Sequence, residues 1–217
     1  MADLLGGTAE RSAALPIRLY RAAAGLAVVA AITYEVLHLN GRANWVAGNY
    51  FSYFTVISNI FAAAVVLAAA GPFAHSPPRR LDLLRGAATV YILTTGIVYA
   101  LLLSGGKAQI PWVNTVEHQV MPIAVPLDWL LVAPRGTIGW RRALPWMAFP
   151  IVYVAYTLIR GVLRHPHWYP YPFLDPDSSG GYLKVLASSI GIGVGILALI
   201  WLVCWAGNRL SPGRAAS

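Results

Sequence analysis

VLASSIGIGVGILALIWLVCWAGN, residues 185–208, contains no Asp, Glu, Lys or Arg. As an α-helix rising about 1.5 Å per residue, the stretch crosses roughly 30 Å of hydrocarbon, which is the dimension of a membrane span. Charge-free gaps recur along the chain from Ala43 to Pro78, from Gly86 to Gly106 and from Ala143 to Ile159. Two more apolar segments, Ile17 to Leu39 and Ile110 to Ala133, are interrupted only by Arg18, Arg21, Glu35, Glu117 and Asp128. The pattern predicts six helices, at 17–39, 50–70, 85–104, 113–133, 143–163 and 182–206. Helix breakers separate them: Gly41, Gly71-Pro72, Pro77-Pro78, Gly105-Gly106, Pro134, Gly136 and Gly180-Gly181.

Composition supports the same class. Of 217 residues, 58% are apolar and only 11% are Asp, Glu, Lys or Arg, about half the charged share of a soluble domain. Mean hydropathy is +0.60. The fold class expected is therefore all-α: a polytopic membrane protein with a single bundle of six transmembrane helices over 17–206. A short segment, 1–16, precedes the bundle and a tail, 207–217, follows it. The net charge of +8 comes from basic residues scattered along the chain, without the clustered patch and stacking aromatics of a nucleic-acid surface. The single Cys204 leaves no intramolecular disulfide. No cofactor is called for.

Orientation follows from Lys and Arg. With both ends on one side, that face carries Arg11, Arg18, Arg21, Arg79, Arg80, Arg85, Arg135, Arg141, Arg142, Arg209 and Arg214, which is 11, against 5 on the other, Arg42, Lys107, Arg160, Arg164 and Lys184. The positive-inside rule places both termini in the cytoplasm of a multi-pass protein of the cell (inner) membrane. The longest outer loop, HPHWYPYPFLDPDSSGG at 165–181, is too rich in proline for a helix, and its aromatics suit a lid at the membrane surface.

Polar groups at membrane depth are costly unless partnered, so they mark where function is to be sought. Thr55, Ser58 and Asn59 stand at i, i+3 and i+4 on the second helix, and Asn114, Glu117 and His118 repeat that spacing on the fourth. Tyr91, Thr94 and Thr95 on the third helix, and Tyr153, Tyr156, Thr157 and Arg160 on the fifth, form two more stripes; for these two, hydrogen bonding between helices is the expected role. Thr55 and His118 each lie about five residues inside the outer end of their helices, roughly 7–8 Å down, so they can meet from opposite directions. Glu35 and His38, near the outer end of the first helix, reach the same level. A Thr hydroxyl beside a neutral imidazole is sufficient for acyl transfer.

The stretches YFTVISN, Tyr53 to Asn59, and WVNTVEHQVMP, Trp112 to Pro122, resemble the androgen-induced and androgen-dependent family of small multipass membrane proteins. That family includes threonine hydrolases of fatty acid esters of hydroxy fatty acids. Its motif pairs a Thr near the start of the second helix with a His four residues after an Asn; the matching positions here are Thr55, Asn114 and His118. The outer-loop stretch WYPYPFLDP, Trp168 to Pro176, looks like the bacterial branch. The resemblance implies a lipid hydrolase that cleaves a fatty acyl ester drawn from the bilayer, with Thr55 as nucleophile, His118 as base, and Asn114, Ser58 or Asn59 donating to the oxyanion. Glu35, His38, Glu117, Tyr156 and Arg160 would line the cavity, with Glu35 better placed than Glu117 to orient the imidazole.

Three other classes fit the same residues. His38 and His118 could hold a haem in an electron carrier, Asp128 with the polar stripes could serve a small proton-coupled transporter, and a non-catalytic lipid-binding or scaffold protein needs no site chemistry. A metal such as zinc would need three or four converging ligands, which His38, His118 and Glu35 barely supply.

Overall fold

A computed structural model describes residues 2–43, 45–71, 77–106 and 109–211, with side chains from Leu15 onward. Every element is helical, and there is no strand among the described residues. We label the six long helical stretches α1 (Ala2–Leu39), α2 (Phe54–Ala69), α3 (Arg79–Val98), α4 (111–131), α5 (Ala148–Leu163) and α6 (Tyr182–Leu210). Two of them contain wider π-helical turns: α3 is prolonged by Tyr99–Leu103, and α4 passes through Val116–Val120 between Pro111–Thr115 and Met121–Leu131. Short helical turns at Ala47–Tyr50, Trp140–Ala143 and Pro176–Ser179 fill the connections.

Four stretches are long and apolar enough to cross a bilayer: Leu15–Leu39, Arg79–Leu103, Trp140–Leu163 and Tyr182–Leu210. Leu37, Leu101, Leu163 and Leu183, one on each, are more than 70% exposed. Large side chains turned outward on all four helices need an apolar solvent, and this is the build of a membrane protein. At 16 residues α2 falls short of that length. The expected helix 50–70 is broken at 51–53, where the chain leaves the Ala47–Tyr50 turn and re-enters a helix at Phe54. The expected helix 113–133 starts two residues earlier and is interrupted by its π turn, while α6 continues to Leu210, past the expected end. The expected segment 1–16 is, from Ala2, continuous with α1.

The middle of the bundle is α3, which packs against α2, α4 and α6; Ala88, Val90 and Ile92 on it have no exposed surface. Close approach at one end of α3 depends on Gly96, where a Cβ would come within 2.7 Å of the Pro122 ring on α4. The polar stripes of α3 and α5 largely tie helices together, as expected. Tyr91 donates to the Trp146 carbonyl (2.9 Å), Tyr153 to the Ser52 carbonyl (3.0 Å), and Thr94 to Val90 on its own helix (2.8 Å).

At the other end of the bundle is a buried ion cluster that hydropathy did not reveal. Asp128 on α4 takes Arg21 of α1 on one carboxylate oxygen and Arg85 of α3 on the other, and Arg85 also binds Asp82 at 2.9 Å. The Arg85 guanidinium donates further to the carbonyls of Asp128 and Val132, and the Arg135 amide caps Asp82 at 3.0 Å. Two cations and two anions balance, which is what makes their burial tolerable. Arg21 and Arg85 thus belong to the interior and not to a loop. Without them the basic count on that face falls from 11 to 9, still ahead of 5; Lys107 and Arg214, also counted, lie outside the described residues.

Asp128→Asn removes the carboxylate that Arg21 and Arg85 share and leaves Asp82 to Arg85, so one buried positive charge is no longer balanced. We expect a loss of about 3–5 kcal/mol of stability, read as a large drop in the unfolding temperature of the detergent-solubilised protein. In the molecules that remain folded the surroundings of His118 should be unchanged, because Asp128 lies ten residues, or about 15 Å, along α4 from it. An unchanged melting temperature would contradict the structural role.

Candidate functional site

Thr55 is the second residue of α2, since Tyr53 caps the helix and Phe54 begins it. Its hydroxyl is therefore at the helix N-terminus, and not a turn and a half inside it as the longer expected helix implied. Backbone N–H groups there have no partner within the helix. That of Thr55 donates to the Tyr171 hydroxyl at 3.2 Å. The Thr55 Oγ1 is 3.3 Å from His118 Nε2 and 3.3 Å from the Tyr171 hydroxyl. The structure thus brings the Thr55 and His118 side chains together.

The orientation of the imidazole has a definite cause. Nδ1 lies 3.2 Å from the carbonyl of Asn114. A carbonyl can only accept, so Nδ1 carries the proton, and Nε2 of the neutral ring presents its lone pair to the Thr55 hydroxyl. Tyr99 stacks on the ring at a centroid distance of 3.9 Å and is itself held by the Asn114 side-chain amide at 2.9 Å. Both π turns meet here: Tyr99 opens one and His118 is the middle residue of the other. Such turns recur at functional positions because the wider register re-aims side chains. Neither Glu35 nor Glu117 orients the imidazole; the backbone of Asn114 does, which corrects the expectation.

The predicted oxyanion donors are committed elsewhere. Ser58 donates to the Thr55 carbonyl at 3.0 Å and pairs with Thr95 at 2.9 Å. The Asn59 amide divides its two protons between the carbonyls of Thr55 (2.9 Å) and Glu117 (3.3 Å), and the Asn114 amide serves Tyr99. Ser58 and Asn59 hold the first turn of α2 through the Thr55 carbonyl. The available donor is one the sequence did not single out, Tyr171. Its hydroxyl accepts the Thr55 amide proton, so its own proton is left to point at Oγ1 or at whatever is bound there. Burial pushes this phenol up to about 12, so it stays protonated at neutral pH.

Tyr171 reaches the site because the 165–181 loop folds inward. Tyr171 and Leu174 are buried, Tyr171 stacks against Phe173 and meets Tyr53 edge-on, and Asp175 caps the turn Pro176–Ser179 through the Asp177 amide at 3.0 Å. The loop is seated against α5 at Gly161, where a Cβ would fall 2.1 Å from the Tyr169 ring. It is a structural part of the site and more than a surface lid.

Two cavities adjoin Thr55. One, of about 260 Å³, is almost wholly apolar and lies among α2, α3, α5 and α6, with Phe54, Met147, Ile151, Ile190 and Ile196 on its walls. The other, of about 460 Å³, is lined in equal parts by polar and apolar surface, and Glu35, Asn49, Asn114, Glu117 and His118 border it; we call it the polar cavity. Thr55, Leu103 and Tyr171 line both. Three residues expected on the wall do not line either cavity. His38 is exposed, bonds to Arg42 at 2.8 Å and stacks on Tyr34. His118 lines the second cavity and His38 does not, so the structure does not bring together the two histidines of the haem reading. Tyr156 is 45% exposed and bonds to Ser52; Arg160 braces Asn49 at 2.8 Å and covers the Trp168 ring. No group of three or more His, Cys, Asp or Glu side chains converges on a metal-sized site among the described residues.

No protein-family model matches the chain, and comparison with curated proteins and with solved structures returns no match.

Proposed function

We propose that this protein is an integral membrane ester hydrolase that cleaves a fatty acyl ester through a Thr55 nucleophile and a His118 base. The observation that carries the reading is the position of the Thr55 hydroxyl, 3.3 Å from His118 Nε2 at the junction of an apolar and a polar cavity. An ester of a fatty acid has that same division. Its acyl chain fits the apolar cavity, its carbonyl falls at Thr55, and its alcohol and the hydrolytic water belong to the polar side. The resemblance of Tyr53 to Asn59 and of Trp112 to Pro122 to the androgen-induced and androgen-dependent hydrolases points the same way.

In this mechanism Thr55 Oγ1 attacks the ester carbonyl carbon as His118 Nε2 takes its proton, and negative charge gathers on the carbonyl oxygen. The Tyr171 hydroxyl and the amide-bearing first turn of α2 lie beside that charge. His118 returns the proton to the alcohol oxygen as the C–O bond breaks, leaving an acyl-Thr55. A water then gives one proton to Nε2 as its oxygen attacks the acyl carbon, and Nε2 passes that proton to Thr55 Oγ1 as the acyl C–Oγ1 bond breaks, which releases the fatty acid and restores both the Thr55 hydroxyl and the neutral imidazole. A non-catalytic lipid-binding protein would use the same two cavities and would not depend on the Thr55 hydroxyl.

The test is hydrolysis of long-chain fatty acyl esters by the purified, folded protein in detergent micelles. Turnover well above that of the buffer is expected; none at all would sink the hydrolase reading. Tyr171→Phe removes the donor while keeping the ring in its packing, and we expect kcat to fall by about 10² with little change in melting temperature. A variant as fast as the parent would remove Tyr171 from the mechanism.

The same proposal includes the arrangement in the membrane: six crossings, with α2 and α4 completing the four longer helices, both termini cytoplasmic, and the site at the outer side of the cell membrane. Its support is the excess of Lys and Arg on the terminal face. A Cys placed at Arg79 or Arg80 should react with an impermeant maleimide only after the membrane is opened, and one at Ser178 in intact cells. The reverse pattern would overturn the topology.

A further inference from the structure

The polar cavity bears on what lies beyond the scissile bond, an inference that rests on the hydrolase reading of Thr55. Two carboxyl groups, Glu35 and Glu117, line it, and among the described residues no Lys or Arg does. Arg160, which covers Trp168, is tied to Asn49 and does not line the cavity. Glu117 is only 5% exposed, and its Oε1 has no hydrogen-bond partner. A carboxyl group buried in that state requires either a proton or a positive charge beside it. Glu35 is met on one oxygen by the Tyr50 hydroxyl at 3.1 Å.

Aromatic rings complete the wall. Trp45 and Tyr50 lie with centroids 6.5 Å apart, and Tyr53 and Trp168 meet nearly at right angles at 5.7 Å. The faces of such rings attract cations, most strongly organic ammonium groups whose charge is spread over alkyl substituents. Acids and rings together, with no Lys or Arg among the described lining residues, select for positive charge. A carboxylate placed here would face two acids and, among the described residues, no Lys or Arg.

We propose that the polar cavity binds an organic ammonium group carried on the alcohol portion of the ester, held by the carboxylates of Glu35 and Glu117 and by the faces of the surrounding rings. The acyl chain would then lie on the apolar side of Thr55 and the ammonium head on the polar side. The ester is cleaved between them.

The experiment measures binding without turnover. The full chain in detergent micelles is titrated with choline and, separately, with 3,3-dimethyl-1-butanol, which has the same shape with carbon in place of the charged nitrogen. Choline should bind at least about tenfold more tightly. Glu117→Gln and Glu35→Gln should each reduce choline affinity and leave the neutral alcohol unaffected. The parent comparison needs no substitution, so it stands even where a variant fails to fold. Equal binding of the two probes, no binding of choline, or a choline preference that survives in both folded variants would overturn the proposal. Hydrolysis is scored separately: a choline preference without ester turnover supports the cation site and removes the hydrolase reading, whereas turnover without a choline preference overturns the cation site alone.

Discussion

Thr55→Ala is expected to bring ester hydrolysis down to the rate of the buffer while the protein stays folded and still takes up lipid. No other hydroxyl can take over. Ser58, the next on α2, is buried and spends its proton on the Thr55 carbonyl or on Thr95, and the Tyr171 phenol is not within bonding distance of the imidazole in the way Thr55 is. The helix itself should tolerate the change, because the turn is held by Ser58 and Asn59 bonding to the backbone carbonyl of residue 55, which alanine keeps. Thr55→Ser should retain turnover, since the hydroxyl remains at the same helix position. Rates for the three proteins on one long-chain ester, alongside their melting temperatures, check this. An alanine variant as active as the parent would leave binding as the role of the cavities.

His118→Ala should cost on the order of 10²–10⁴ in kcat, the usual worth of a positioned general base. The imidazole is held on three sides, by the Asn114 carbonyl, the Tyr99 ring and the Thr55 hydroxyl, so little is left to chance in its aim. Nucleophile and base act as one unit, so their losses should not add: Thr55→Ala with His118→Ala should be no slower than Thr55→Ala alone. KM should change much less than kcat, because the ring touches the reacting atoms and not the acyl chain. A drop confined to KM would mean that His118 binds substrate without moving a proton.

The membrane class could be read from charge gaps, and matched depth could bring Thr55 and His118 to one level, because both follow regular helical geometry; their roles as nucleophile and base come from the resemblance. Three other features do not follow it. The π turns at Tyr99–Leu103 and Val116–Val120 change the register locally, and no residue type marks where such a turn begins; on the regular α2, periodicity places Ser58 and Asn59 beside Thr55 but does not tell that their protons go to the Thr55 carbonyl. Tyr171 sits in a proline-rich loop with no period at all; the signal that could have found it is a run of aromatics between prolines, too bulky and apolar to be left in water. Arg21 and Arg85 count along the chain only as charges of one face and Asp128 as an isolated acid within a span, yet with Asp82 they pair across α1, α3 and α4 to form a neutral cluster. His38 failed for a simpler reason. Near the end of a helix, three residues from Glu35, a small rotation decides between cavity and exterior, and here the ring turns out toward Arg42.

The most direct measurement is covalent capture of the nucleophile. The purified protein, treated in micelles with a long-chain fluorophosphonate, should gain the mass of one phosphonyl group, and peptide mapping should place it on Thr55. Labelling should vanish in Thr55→Ala and slow markedly in His118→Ala. Labelling at another residue, or none in a preparation that hydrolyses esters, would contradict the assignment of Thr55 as the nucleophile.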